Sequence, residues 1–116
     1  MANTFKLKTK SGVNGAALTT VYTVPSSTTA VIIGLTVSNI KGASITADVQ
    51  IVTASSSGEN ADDVYVVKDI PLPSGSSVEV MSGNKIILNA GDIVKASGSN
   101  ASGADADIIL SIMEIT

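Results

Sequence analysis

Residues 30–52 read AVIIGLTVSNIKGASITADVQIV, and the fold follows from this stretch. Val31, Ile33, Leu35 and Val37 recur at every second position, with Gly34, Thr36 and Ser38 between them. After Ser44 the same period returns, as Ile45, Ala47, Val49 and Ile51 alternate with Thr46, Asp48 and Gln50. A side-chain period of two is that of a β-strand with one dry face and one wetter face. Lys41-Gly42 lies between the two runs and suits a tight turn, so the sequence predicts a long antiparallel hairpin. The apolar face of such a hairpin needs a second sheet to cover it.

The rest of the chain follows the same grammar. Thr4–Lys10 sets Phe5, Leu7 and Thr9 against Lys6, Lys8 and Lys10, and lysines on a terminal strand discourage stray edge pairing. A loop with Gly12, Asn14 and Gly15 follows, then a Thr-rich strand over Leu18–Val24 that Pro25 ends. Past the hairpin, residues 54–63 (ASSSGENADD) form a polar loop. Val64–Ile70 is a strand in which Val64, Val66 and Ile70 share a face with Lys68, and Pro71-Leu72-Pro73 is expected to break it. Shorter strands are expected over 76–81, 85–89 and 93–97, separated by Ser82-Gly83-Asn84 and Ala90-Gly91-Asp92. A loop of small residues over 98–104 leads to the last strand, Ala106–Ile115. There Ile108, Leu110 and Ile112 share one face and Ile109, Met113 and Ile115 the other. Apolar residues on both faces mark a central strand, or one whose second face a partner covers.

Eight or nine strands with no helical period predict an all-β, single-domain antiparallel sandwich of jelly-roll type. Residues 1–17 read as an N-terminal arm or edge strand plus loop, and 18–116 as the sandwich.

Composition narrows the chemistry. Of the 116 residues 44% are hydrophobic but only 3% aromatic, so the core is built from Val, Ile, Leu and Ala. All seven basic residues are lysines (6, 8, 10, 41, 68, 85 and 95), and there is no Arg, His, Cys or Trp. Lacking Arg, the chain has no bidentate fork for phosphate or guanine. Lacking His and Cys, it has neither the commonest general base nor thiolate and imidazole metal ligands. A net charge of −3 and an isoelectric point near 4.6 do not attract nucleic acid. No apolar run reaches membrane-spanning length and no signal peptide is visible. The expectation is a protein made in the cytoplasm without export. It should have no catalytic residues, no cofactor, no metal, no nucleic acid and no membrane.

Two weaker site candidates remain. Glu59, Asp62 and Asp63, with Asp105 and Asp107, could gather oxygen ligands for calcium, although no D-x-D-x-D-G loop is present. A sugar-binding module would need exposed aromatics, for which Tyr22 and Tyr65 are the plausible pair.

Three runs carry a family resemblance. They are residues 1–40 (MANTFKLKTKSGVNGAALTTVYTVPSSTTAVIIGLTVSNI), residues 66–80 (VVKDIPLPSGSSVEV) with 85–97 (KIILNAGDIVKAS), and residues 106–116 (ADIILSIMEIT). Together they resemble small all-β virion structural proteins of tailed bacteriophages, many from marine and cyanobacterial hosts. The resemblance implies a structural role in the virion, with the major capsid protein or other virion proteins as partners and a homo-oligomer, a trimer among the options. Within that role a capsid decoration or cement protein is expected, with a neck, collar or tail-associated protein as the alternative. A carbohydrate-binding attachment module is a further alternative. The expected capsid-anchoring arm is Phe5, Lys6, Leu7, Lys8 and Lys10.

Overall fold

Nine strands make up two antiparallel sheets in the computed structural model, which describes residues 2–53, 63–81 and 83–116. In chain order they are β1 (Asn3–Val13), β2 (Thr19–Thr23), β3 (Thr29–Asn39), β4 (Ile45–Val52), β5 (Val64–Leu72), β6 (Ser77–Glu79), β7 (Ile86–Leu88), β8 (Ile93–Ser97) and β9 (Ala106–Ile115). The first half of the chain pairs with the second half in reverse: β1 with β9, β2 with β8, β3 with β7 and β6, β4 with β5. Two further pairings, β3 with β9 and β4 with β8, wrap this ribbon into a five-stranded sheet (β1-β9-β3, then β6 and β7) and a four-stranded sheet (β2-β8-β4-β5). The result is the all-β sandwich with jelly-roll strand order that the strand spacing predicts.

The core lies between the sheets. Ile108, Leu110 and Ile112 of the central strand β9 pack with Ile32, Leu35 and Val37 of β3, and face Ala47, Val49 and Ile51 of β4 and Val94 of β8. Their near-complete burial contributes roughly 1.5–3 kcal/mol per large aliphatic side chain.

Residues 30–52 do not form a hairpin. β3 and β4 have the predicted alternation but belong to different sheets, so residues 40–44 arch across the sandwich instead of turning back within one sheet. Asn39 makes the corner. Its buried side-chain amide donates to the carbonyls of Ala43 (2.8 Å) and Leu72 (2.9 Å), and its Oδ1 accepts from Lys41 N at 2.8 Å. Ile40 N is held by Asp105 O at 2.9 Å. These partners pull the chain out of its sheet more strongly than Lys41-Gly42 can return it.

The face assignment in β3 shifts by one residue. A bulge between Ile32 and Gly34 makes Ala30, Ile32, Leu35 and Val37 the inward set and leaves Ile33 exposed. β4 keeps the predicted inward set without change. In β5, two register shifts opposite Ala47–Gln50 replace simple alternation, so that Val66, Val67 and Ile70 pack against the core while Val64 is exposed. The strand also runs on through Pro71, which is tolerated because β5 is an edge and proline's missing donor faces away from the ladder.

Candidate interaction surface

In an antiparallel ladder, residues directly opposite share a face. On the core side of the five-stranded sheet the register aligns Lys6 with Ile112 and Ile32, and Lys8 with Leu110 and Leu35. The lysines of β1 therefore belong to the inner side of the sheet, at the rim where β1 overlies β2. Lys6 Nζ lies 2.9 Å from the buried Glu114 Oε1, while Tyr22 of β2 donates its hydroxyl to Glu114 Oε2 at 2.6 Å. Lys8 Nζ sits over the Tyr22 ring, 5.8 Å from its centre. Inward charges on an edge strand resist unwanted pairing, and here they also link the two sheets through one carboxylate. Hydrogen bonds from Lys6 and Tyr22 hold the Glu114 carboxyl below its ordinary value, despite burial. Burial, with the neighbouring carboxylate, pushes the Tyr22 hydroxyl well up.

The opposite side of the same sheet faces outward. Its register aligns Phe5 with Met113, Met113 with Val31, and Val31 with Ile87, an apolar row that crosses the whole sheet from β1 to β7. Phe5 is 73% exposed, Ile87 67% and Leu7, two residues along β1 from Phe5, 64%. Ile109 is 44% exposed on the next strand, and the bulge residue Ile33 adds to the patch. No lysine occupies a register position on this face. Its two carboxylates are turned to backbone donors: Asp107 Oδ1 accepts from Gly12 N at 3.0 Å, and Glu79 Oε1 from Leu35 N and Met81 N at 2.9 and 3.0 Å. Burial alone would raise the Glu79 pKa, but these donors and Thr36 outweigh it and lower the value. Single exposed apolar residues are ordinary on a protein surface, whereas a contiguous row without free charge marks a contact surface.

The other sequence-derived candidates are placed elsewhere. Glu59 and Asp62 lie outside the described residues. Asp105 is fully buried and organises the loop before β9, its Oδ2 accepting from Ser99 N (2.9 Å) and Asn100 N (2.8 Å), with Lys41 Nζ at 3.4 Å from Oδ1. Burial would raise its pKa, but the donors of Asn100 and Ser99, with Lys41, hold it low. Asp63 and Asp107 are not brought to it, and no group of three potential ligands occurs among the described residues. The tyrosines do not form a pair, since Tyr22 is buried and only Tyr65 is exposed, with Lys68 Nζ 5.1 Å from its ring centre. A cleft of about 330 Å³ lies between the sheet ends, lined by Tyr65, Val64, Ile51, Ile87 and Leu88.

No family model and no curated protein matches this chain. Among solved structures it is similar to a chain described in "Bacillus endospore appendages form a novel family of disulfide-linked pili", at 15% identity and a TM-score of 0.49, over 96% of this chain and 86% of that one.

Of the expected anchoring residues, then, Phe5 and Leu7 lie on the outward face and Lys6, Lys8 and Lys10 alternate to the inner side. The apolar second face of Ala106–Ile115 already marks Met113 as a residue that a partner could cover. The sequence reading instead puts Val31 on the buried face of its strand and gives Ile87 no face; only the register brings the three together.

Proposed function

We propose that this chain is a structural protein of a tailed-bacteriophage particle, seated on the head as a decoration or cement protein. The observation that supports this reading most is the charge-poor apolar row Phe5–Met113–Val31–Ile87 on an otherwise water-facing sheet. Leaving Phe5, Leu7 and Ile87 in water forgoes roughly 1.5–3 kcal/mol for each, which a protein partner would recover. The resemblance over residues 1–40, 66–80, 85–97 and 106–116 supplies the virion context. Cementing works by bridging neighbours so that several contacts must break together, and a rigid sheet face suits that task.

The test is a pair of single variants followed into particles. Ile87→Lys charges the row at an exposed site and should leave folding intact while removing the protein from purified heads. Gln50→Lys, on the outer face of the other sheet, should leave incorporation unchanged. Equal incorporation of both variants would remove the support for this reading.

A further inference from the structure

Among the described residues β1 ends the five-stranded sheet, so one side of its backbone is open. Ala2 and Thr116 exchange both backbone hydrogen bonds, at 3.2 and 3.0 Å, and the register runs unbroken from there to Lys10. Bonded and unbonded pairs alternate along an antiparallel ladder. Thr4, Lys6, Lys8 and Lys10 therefore bond to β9, while Asn3, Phe5, Leu7 and Thr9 aim their N–H and C=O groups at the open side. The residues with free backbone groups are the same ones that carry the exposed Phe5 and Leu7 side chains.

We infer that this edge is filled by a second copy of the chain, β1 beside β1 in antiparallel sense, with Phe5 facing its own counterpart across a two-fold axis. Open groups bond only to open groups, which restricts the axis to a few positions. The lysines choose among them. Centring the pairing on Lys6 sets Lys6 against Lys6, and centring it on Leu7 sets Lys6 against Lys8. Like charges directly opposite destabilise a strand pair. Centring it on Thr4 leaves Leu7 beyond the paired stretch. Centring it on Phe5 sets Asn3 against Leu7, Thr4 against Lys6 and Ala2 against Lys8, so no lysine faces another. The two Lys6 ammonium groups become diagonal neighbours, but each is already compensated by Glu114 at 2.9 Å.

The same register joins the two outer rows end to end. Ile87, Val31, Met113 and Phe5 of one copy continue into Phe5, Met113, Val31 and Ile87 of the other, across a single ten-stranded sheet. A pairing over residues 2–8 alone buries less than the roughly 1,200 Å² of the smallest standard interfaces, so the dimer exchanges with monomer and accumulates with concentration.

Because the chain has no cysteine, one introduced thiol reports the register. In Phe5→Cys the two thiol-bearing residues face each other at a Cα separation of about 5.5 Å, inside the disulfide range. In Leu7→Cys they lie four residues out of register, roughly 13 Å apart along the strand and beyond reach. Mild oxidation of the purified full-length variants at high concentration should cross-link Phe5→Cys at least about tenfold faster than Leu7→Cys, since paired thiols react at high effective concentration. Adding Leu7→Pro, which deletes an open-side donor and spares the β9 ladder, should slow the Phe5→Cys reaction. Equal rates for Phe5→Cys and Leu7→Cys would overturn the inference, whatever the proline variant does. The experiment contains no particle, so its failure leaves the virion reading untouched.

Discussion

The two sheets present unlike outer faces. The four-stranded sheet shows water Thr20 and Thr23 of β2, Lys95 of β8, and Asp48 and Gln50 of β4, with Lys68 Nζ 3.6 Å from Asp48 Oδ2. The five-stranded sheet shows it Phe5, Met113, Val31, Ile87, Leu7 and Ile109. Both sheets contribute their inner aliphatic residues to one core, so the apolar row on the outside is not needed to fill it. An antiparallel sheet with one wet face ordinarily alternates apolar with polar residues. The four-stranded sheet keeps to this over most of its outer face, with Val52 and Ile93 half-buried at one end and Tyr65 exposed on its edge strand. The five-stranded sheet instead carries an apolar row from β1 to β7. Where a sheet departs from that rule without gaining core, the departure points to a partner.

The bulge in β3 decides what faces where, and the largest effects are expected there. Ile32→Ala should cost about 2–4 kcal/mol in urea unfolding, the loss expected for a large-to-small change in a packed core. Ile33→Ala should stay within about 0.5 kcal/mol, as for an exposed site. Equal costs would mean the register shift is misplaced and the outer face wrongly drawn. Next comes the carboxylate that ties the sheets together. Glu114→Ala leaves the Tyr22 hydroxyl and Lys6 without their partner and should cost about 2–3 kcal/mol, less than a fully buried pair because Lys6 is half exposed.

Acid should then separate the two sheets. Glu114 and Glu79 are held below their ordinary value of 4.5 and Asp105 below 3.8, and all three belong to or adjoin the five-stranded sheet. A carboxyl with a depressed folded-state pKa contributes stability that is complete above the unfolded value and is lost as pH falls through the folded one. Stability should hold down to about pH 5 and decline below the 4.5 and 3.8 of the unfolded carboxyls. Amide exchange should rise in β1, β6 and β9 before β4 and β5. Simultaneous loss in both sheets would show that these carboxylates do not set the acid response. The smallest effect is expected on the charged face: Lys68→Met should leave the unfolding midpoint unchanged at moderate salt, because its partners compete with water.

Much of the fold is readable from local pattern. The period of Ile45–Ile51, the two-faced apolar run of Ala106–Ile115 and the turns near Gly75 and Gly91 place strands where they occur. The predicted hairpin fails because its alternative depends on distant partners. Asn39 turns the corner by bonding to Leu72 and to the loop it enters, and Asp105 lends a carbonyl from the far end of the chain. The Ile32-Ile33-Gly34 run offers either isoleucine to the core, and only pairing with β9 selects Ile32. At the surface, alternation in Thr4–Lys10 separates Phe5 and Leu7 from the lysines but does not say which set faces out. Ordinary burial preference would turn Phe5 inward; Glu114, 108 residues beyond Lys6, draws the lysine side in instead. The row through Val31, Met113 and Ile87 is assembled by register across four strands, and only β9, apolar on both faces, carries a local sign of it.

The most direct test of the central claim is the copy number of the protein in purified phage particles, by quantitative mass spectrometry against the major capsid protein, for the wild type and for Ile87→Lys. A protein seated on the head through this row should give a wild-type ratio near one to one, or one to three if trimers occupy the sites, and near-complete loss of the variant. An Ile87→Lys variant present at the wild-type ratio, or a wild-type protein absent from particles, would contradict that placement.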